Sequence, residues 1–589
     1  MSYFLAFCKS HGSTVLSQYQ SLRTEGLLCD VLLKVNGHEY PAHKSLLACT
    51  SDYFRAMFKD YTREYRAAVI HLKVVTPTGL QHILDFIYTS WLSLSMETLE
   101  DTLEAASYLQ VPEALALCSR YIVNRLDLEN CCFSANVASK FYRLDALSAA
   151  ENFIITNLWR LLEFDLEATE LLELNFRSLL AVVKSDRVPK INEQCLLRLV
   201  LKWLKYDKSR FVHIRELLEP IRFGLVPVEY LRKFYSNSAV PLSATTKSQI
   251  IKAIDYHTMV FKQPVMQDKY STLRNPKLWI MLVGGETSNE RLVGELLGFD
   301  VYNHKWRNVT KLPVHTTSHC ICVVGNFLYV VGGESTEQAL KDNKNTATLP
   351  SNKVYRYDPR FDRWVQTTGM LEPRSQFSCC TINNRIYAIA GKGPAESLHA
   401  SVEVYDIDRD RWMKTKDLTF PVHGHACTVH QKTIYISGGK RAGQVNTSKD
   451  MYSFSVSQVQ WNKQASMAIA RFGHQMATVN DSIFTFLGMY EPFCDIEKYD
   501  PLQNQWTRLK PLIYDRFCYG LVVVEDTVLL IGGKKWQDSR EVPTQNVVGY
   551  DTENDCWEEI CPLPLPLFGT QCAVLQLSDL LGNELIPQK

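Results

Sequence analysis

The chain has 589 residues, 46% hydrophobic and 22% charged, with 27 Gly and 23 Pro. At roughly 100–200 residues per domain that is too long for a single core, and the balance excludes both wholesale disorder and a fibrous protein. The 64 Lys and Arg against 63 Asp and Glu leave a net charge of +1, which gives no electrostatic case for nucleic acid or an anionic membrane as the main partner.

From the N-terminus, Met1 to Lys9 has neither the basic segment nor the apolar length of a secretion signal. No apolar run reaches the roughly 18 residues that a membrane span needs. The expectation is a soluble intracellular protein, cytoplasmic with the nucleus left open. Residues His11 to Gly26 follow, then a strand-like Asp30–Val35 ending in the hairpin turn Asn36-Gly37, a second short strand through Tyr40, and a helical Ser51–Phe58. Further on, Leu196, Leu199, Val200, Trp203 and Leu204 stand at helical three- and four-residue spacing, and Asn130–Leu147 and Leu217–Tyr230 read as helices too. Residues 236–275 are more polar and read as a linker, with Ile250–Phe261 as the candidate for a last helix.

The C-terminal half repeats. Glycine pairs end apolar runs at Gly284-Gly285, Gly332-Gly333, Gly438-Gly439 and Gly532-Gly533, with single-glycine versions at Ala390-Gly391 and Leu487-Gly488. Their second members are 48, 58, 48, 49 and 45 residues apart, the spacing of a propeller array. Each is followed by a tryptophan (Trp306, Trp364, Trp412, Trp461, Trp506, Trp557), and seven residues before each stands an aromatic (Phe299, Tyr357, Tyr405, Phe454, Tyr499, Tyr550). Glycine suits a crowded strand end, and the aromatic and tryptophan suit the wedge between neighbouring blades. The first repeat lacks a leading strand like that of the second, while Thr570–Leu577 follows the last tryptophan with no glycine pair of its own. This C-terminal strand is expected to complete the first blade and close the ring.

The repeats resemble a six-bladed kelch propeller. The segment CDVLLKVNGHEYPAHKSLLACTSDYFRAMF, with the later Phe86-Ile87-Tyr88-Thr89-Ser90, resembles a BTB domain, and the helical middle resembles a BACK domain. In this order they resemble the kelch-like family over nearly the whole chain. The implied fold is multidomain: an α+β BTB (POZ) domain at 1–127, an all-α BACK domain at 128–235, the linker at 236–275, an all-β six-bladed kelch β-propeller closed by a C-terminal strand at 276–578, and a tail at 579–589. The resemblance implies homodimerisation through a helix bearing Val15, Leu16, Tyr19 and Leu22, and binding of cullin-3 through Tyr53, Met57, Tyr88 and the motif Thr62-Arg63-Glu64. Thr62 stands where a larger apolar residue is usual in that motif. The loss of apolar contact would weaken docking by about 1–2 kcal/mol. The implied activity is substrate recognition for a ubiquitin ligase whose catalysis belongs to partners. The competing reading is a non-ligase scaffold that binds actin or a cytoskeletal complex.

No enzyme motif emerges. Gly438-Gly439-Lys440 and Gly532-Gly533-Lys534 fall where the repeat requires glycine and are not phosphate loops. His423-x-His425 lacks further ligands at metal spacing, and the 17 cysteines, including Cys131-Cys132, Cys379-Cys380 and Cys320-x-Cys322, read as reduced core thiols. No cofactor or metal is expected. His43 and Asp30 read as polar residues that hold the BTB fold. Substrate is expected on the loops after each tryptophan, at Arg374, Ser375, His423, Arg471, Phe472, Arg516 and Phe517, where arginines and aromatics would suit an acidic or phosphorylated segment. The alternative is that the arginines brace blade turns through backbone carbonyls. The long interval 334–353 is a second candidate loop.

Overall fold

The computed structural model describes residues 9–164, 169–237, 240–289, 291–335, 349–443, 446–488, 495–512, 515–537, 540–578 and 584–585. The chain divides into two compact units: Met1–Ile191, Cys195–Ile221 and Ala239–Leu242 in one, Asn192–Gln194, Arg222–Ser238 and Ser243–Lys589 in the other.

The first unit opens with helix α1 (His11–Glu25), which ends at Gly26 in the left-handed region. Strands β1 (Val31–Val35) and β2 (His38–Ala42) pair antiparallel with Val35 opposite His38. Asn36 and Gly37 both have positive φ, the two-residue turn that Asn-Gly favours. Strand β3 (Val69–His71) adds in parallel on the other side of β1. Val31, Leu33 and Val35 alternate inward onto Phe54, Leu80, Ile83 and Leu84. Helix starts are capped: Ser51 accepts from Phe54 N–H, and Thr76 accepts from Gly79 N–H with a proline in the first turn. The helices that follow include Cys131–Lys140, Leu144–Phe164 and Phe176–Lys184. The expected stripe of Leu196, Leu199, Val200, Trp203 and Leu204 is buried, and Trp203 Nε1 donates to the Leu174 carbonyl at 2.8 Å.

In the second unit, the described residues hold six antiparallel sheets of the repeat type, five of them with their strands in sequence order. The second is Cys320–Val324, Phe327–Val331, Val354–Asp358 and Arg363–Thr367. The first differs as expected: Gln571–Leu577 pairs with Lys277–Val283 over seven residues, from Gln571 opposite Val283 to Leu577 opposite Lys277. Each aromatic lies directly opposite its tryptophan in the outer strand pair. The Phe299–Trp306 and Tyr550–Trp557 rings, for example, are 4.9 and 4.8 Å apart. Four tryptophans reach the preceding repeat, with indole N–H groups on the carbonyls of Thr368, Lys416, Ala465 and Lys510. The aspartate after the aromatic turns the chain. Asp300, Asp500 and Asp551 each accept two backbone N–H groups from the following turn.

From Ser243 on, the segment read as a linker is built into this unit. Its helix runs Ala244–Thr258, starting earlier than expected because Ser243 caps it by accepting from Thr246 N–H. Beyond the helix the chain packs on the second repeat. Arg356, 1% exposed, donates to Val260 O and to Gln263 Oε1, and Arg360 donates to the Tyr256 hydroxyl and to Ser271 O. Buried guanidiniums need acceptors, and 256–271 supplies four of them, so this stretch packs as part of the propeller unit.

Candidate functional site

Two adjacent positions after each tryptophan build one rim of the repeat array. Eleven residues past the tryptophan, five described residues pair with the residue that follows the repeat's last glycine: Thr317 with Glu334, Ser375 with Lys392, His423 with Lys440, Phe517 with Lys534 and Phe568 with Glu286. This is why the second glycine is required. A Cβ on Gly285, Gly333, Gly391, Gly439 or Gly533 would sit 2.7–2.8 Å from the carbonyl oxygen of Phe568, Thr317, Ser375, His423 or Phe517, respectively. All five also have positive φ.

Neighbouring residues of an extended segment face opposite ways, so the position ten past the tryptophan turns inward. The structure therefore corrects the arginine reading: Arg374, Arg471 and Arg516 are 0%, 1% and 0% exposed. Arg374 donates to the carbonyls of Ala390 and Ser401 and pairs with Glu403 at 2.7 Å. Arg471 does the same with Leu487, Asp495 and Glu497, the ion pair at 3.0 Å. Arg516 holds the carbonyls of Leu530 and Asn546. These guanidiniums brace the repeats and present nothing to a partner. The readable signal was a glutamate two residues before the next aromatic, Glu403 before Tyr405 and Glu497 before Tyr499.

Of the other residues expected on this face, Ser375, Phe472 and Phe517 are buried, and His423 is half-buried. The cations that do reach the rim are lysines, and the aromatics lie beneath them. Lys440 Nζ is 4.9 Å from the Phe472 ring centroid and Lys534 Nζ is 4.0 Å from that of Phe568. Lys392 and Lys440 flank His423, whose imidazole is pushed down to about 4, chiefly by burial and then by those two charges. The corresponding positions of the first two repeats are Glu286 and Glu334, so the rim is basic at Lys392, Lys440 and Lys534 and acidic in the first two repeats. Residues 336–348 of the second candidate loop lie outside the described residues; its ends pair as Glu334 with Pro350 and Ser335 with Leu349.

Beneath the rim lies a cavity of about 540 Å³ lined by Lys392, Lys440, His423 and strand-leading residues of several repeats. Thirteen residues past each tryptophan stand His319, Phe377, His425, His474, Tyr519 and Thr570. The His319 and His474 rings crowd Gly284 and Gly438, and the Phe377 ring crowds Gly332. His425 is buried with Nε2 2.6 Å from Ser378 Oγ, so His423-x-His425 splits between the rim and this inter-repeat layer. Among the described residues no group of three His, Cys, Asp or Glu could hold a metal ion.

In the first unit, α1 buries only Arg23. Val15 is 39% exposed, Leu16, Tyr19 and Leu22 are partly exposed, and beyond the helix Leu28 is 80% exposed. Tyr53 and Met57 are half-buried at the edge of the core, with the Tyr53 hydroxyl 2.9 Å from that of Tyr108. Glu64 is exposed. Thr62 is half-buried, its hydroxyl directed at the carbonyls of Met57 and Lys59 at the end of the preceding helix. Tyr88 departs from the expected docking face. It is 0% exposed because its hydroxyl lies 2.8 Å from both His43 N and His43 Nδ1, while Arg23 covers its ring. His43 thus holds the fold as expected, and Asp30 accepts from Lys44 N–H at 2.7 Å. Tyr61, 78% exposed beside Thr62, is the large aromatic that the sequence reading missed; its signal was an aromatic among polar residues just past a helix end.

Comparison with known proteins finds three domains along the chain. Residues 19–126 match the BTB/POZ domain, residues 131–236 the domain described as BTB And C-terminal Kelch, and residues 278–493 the Attractin/LZTR1 beta-propeller. Kelch-like protein 34 of Homo sapiens is 48% identical over 628 residues, covering 98% of this chain and 97% of that protein. Kelch-like protein 36 of Bos taurus is 31% identical over 587 residues (98% and 93%), and Kelch-like protein 13 of Mus musculus 32% over 575 residues (96% and 86%). With three matched domains in this order and relatives alike from end to end, the chain belongs to the kelch-like family.

Proposed function

We propose that the chain is a non-catalytic, homodimeric substrate-recognition adaptor of a cullin-3 RING ubiquitin ligase. The BTB domain dimerises through Val15, Leu16, Tyr19 and Leu22 and binds cullin-3 through Tyr53, Met57, Thr62 and Glu64, with Tyr61 added. The six sheets form a six-bladed propeller closed by Gln571–Leu577, and its basic rim captures an acidic or phosphorylated segment of the substrate. The observation that carries this reading is the joint presence of BTB, BACK and propeller in a chain that matches kelch-like proteins over 98% of its length. An apolar stripe left uncovered on α1 supports the dimer.

Titration of the full chain with the N-terminal helices of cullin-3 tests the reading. Light scattering in the same buffer should give twice 67.5 kDa. Binding should be measurable, and Thr62→Leu should tighten it by about tenfold through added apolar contact. If neither form binds, the second reading prevails, the non-ligase scaffold on actin or a cytoskeletal complex. The observation that favours that alternative is Thr62 itself, whose hydroxyl is engaged by its own helix end.

For the rim, binding of a short glutamate-rich peptide followed by fluorescence anisotropy should weaken with added salt. It should be lost in the triple variant Lys392→Gln, Lys440→Gln, Lys534→Gln, whose melting temperature stays near that of the parent because the three side chains reach solvent. Undiminished peptide binding in that variant would remove the lysines from the site.

A further inference from the structure

The wall of the cavity beneath the rim carries an arrangement of thiols that adaptor function does not use. Cys322 Sγ, on the leading strand of the second repeat, lies 3.0 Å from Cys379 Sγ on the leading strand of the third. The repeat explains the contact. Fifteen residues past the tryptophan come Ile321, Cys379, Cys427, Met476, Leu521 and Cys572, and sixteen past come Cys322, Cys380, Thr428, Ala477, Val522 and Ala573. The sixteenth position of one repeat faces the fifteenth of the next. Cysteine occupies both in only two junctions: Cys322 with Cys379, and Cys380 with Cys427. At the second junction the Cys380 and Cys427 thiols are also hydrogen-bonded to each other. The vicinal pair Cys379-Cys380, unexplained by any zinc spacing, thus sends one thiol to each neighbouring repeat.

We propose that Cys322–Cys379 and Cys380–Cys427 are inter-repeat disulfide sites, closed by hydrogen peroxide and reopened by thiol reductants. Cys379 and Cys427 line the cavity, which is how a molecule of peroxide's size reaches them. At each site the cavity thiol, as thiolate, attacks one peroxide oxygen. The O–O bond breaks, hydroxide leaves and takes up the thiol proton as water, and a sulfenic acid remains. The neighbouring sulfur then attacks the sulfenyl sulfur; the S–S bond forms, the S–O bond breaks, and a second water leaves with the second thiol proton. Two sulfurs lose one electron each and peroxide gains two. Burial holds Cys379 well above the ordinary thiol value, so closure of its junction should speed up as pH rises.

The test uses the full-length protein, treated with hydrogen peroxide under native conditions, quenched with excess alkylating reagent and digested with trypsin without reduction. The expected result is the peptide 375–385 joined to 417–432 and to 312–341, both links vanishing after dithiothreitol. In the Cys320→Ser variant the link to 312–341 should persist, because Cys322 and not Cys320 supplies it. The melting temperature should rise by several degrees on oxidation, as a covalent tie between distant segments constrains the unfolded chain. Recovery of these four cysteines as alkylated thiols, or as separate sulfinic or sulfonic acids with no link, overturns the proposal. So does a link that is lost in Cys320→Ser.

Discussion

Replacing Arg374, Arg471 and Arg516 together with alanine should unfold the propeller, not merely blunt capture of a partner. Arg374 and Glu403 are both 0% exposed at their side chains, as are Arg471 and Glu497. Each carboxylate does more than pair with its arginine. Glu403 also accepts the N–H groups of Leu371 and Glu372, and Glu497 those of Ala468 and Ile469. The carboxylate ties the loop after one repeat's tryptophan to the middle strand of the next. Removing the guanidinium strands a buried carboxylate and frees carbonyl oxygens that no water reaches. Breaking a buried pair in this way costs about 3–5 kcal/mol, and two such losses reach the roughly 5–15 kcal/mol that a domain has in total. Circular-dichroism melts should show each single alanine variant lowered by many degrees and the triple variant without a cooperative transition. The lysine-to-glutamine triple variant of the rim, melted alongside, should match the parent. A triple alanine variant that melts like wild type would return the arginines to the surface.

The second large effect is acid sensitivity. His319, His425 and His474 are buried, at 1%, 5% and 3% exposure. Burial pushes His319 down to about 4, His425 down to about 3 and His474 well below the ordinary histidine value. Unfolding returns each to about 6.5. Because the folded values are depressed, the unfolded chain binds more protons between the two values. The stability is therefore complete above pH 6.5 and is lost as pH falls toward 4. With His423, also held at about 4, four such groups give a slope of about 5 kcal/mol per pH unit in the middle of that window. The carboxyl of Glu372, pulled down to about 2 by its Ser401, Lys414 and Arg374 partners against the opposing effect of burial, adds to acid loss only below the ordinary carboxylate range, so the histidines dominate above pH 5. Urea titrations at pH 7, 6 and 5 should show the midpoint dropping steeply. His319→Phe should flatten the slope by about a quarter while leaving the neutral-pH midpoint nearly unchanged, since the third repeat already carries Phe377 at the equivalent position. A profile that is flat between pH 7 and 5 would mean that these imidazoles are protonated in the folded state.

The amino-acid sequence by itself determined the features that local spacing encodes. The Asn36-Gly37 hairpin, the six glycine sites, the aromatic and tryptophan seven residues apart and the return of Gln571–Leu577 to the first sheet are all legible, because each rests on a residue type that one backbone geometry demands. The helix that carries the exposed α1 stripe came only from the resemblance to a BTB domain. Tertiary structure decided which way neighbouring side chains face. Arg374 and Ser375 are adjacent in a segment too short to show a period, so nothing local says that the arginine turns inward; Glu403, from a strand of the next repeat some thirty residues on, settles it. Tyr88 went inward for the same kind of reason, with His43 brought to its hydroxyl from a distant turn. The polar 236–275 segment resembled a linker because its acceptors show no hydrophobic period, yet Arg356 and Arg360 need those acceptors. The two cysteine junctions are invisible in the linear spacing of thiols and arise only where the leading strand of one repeat is set against that of the next.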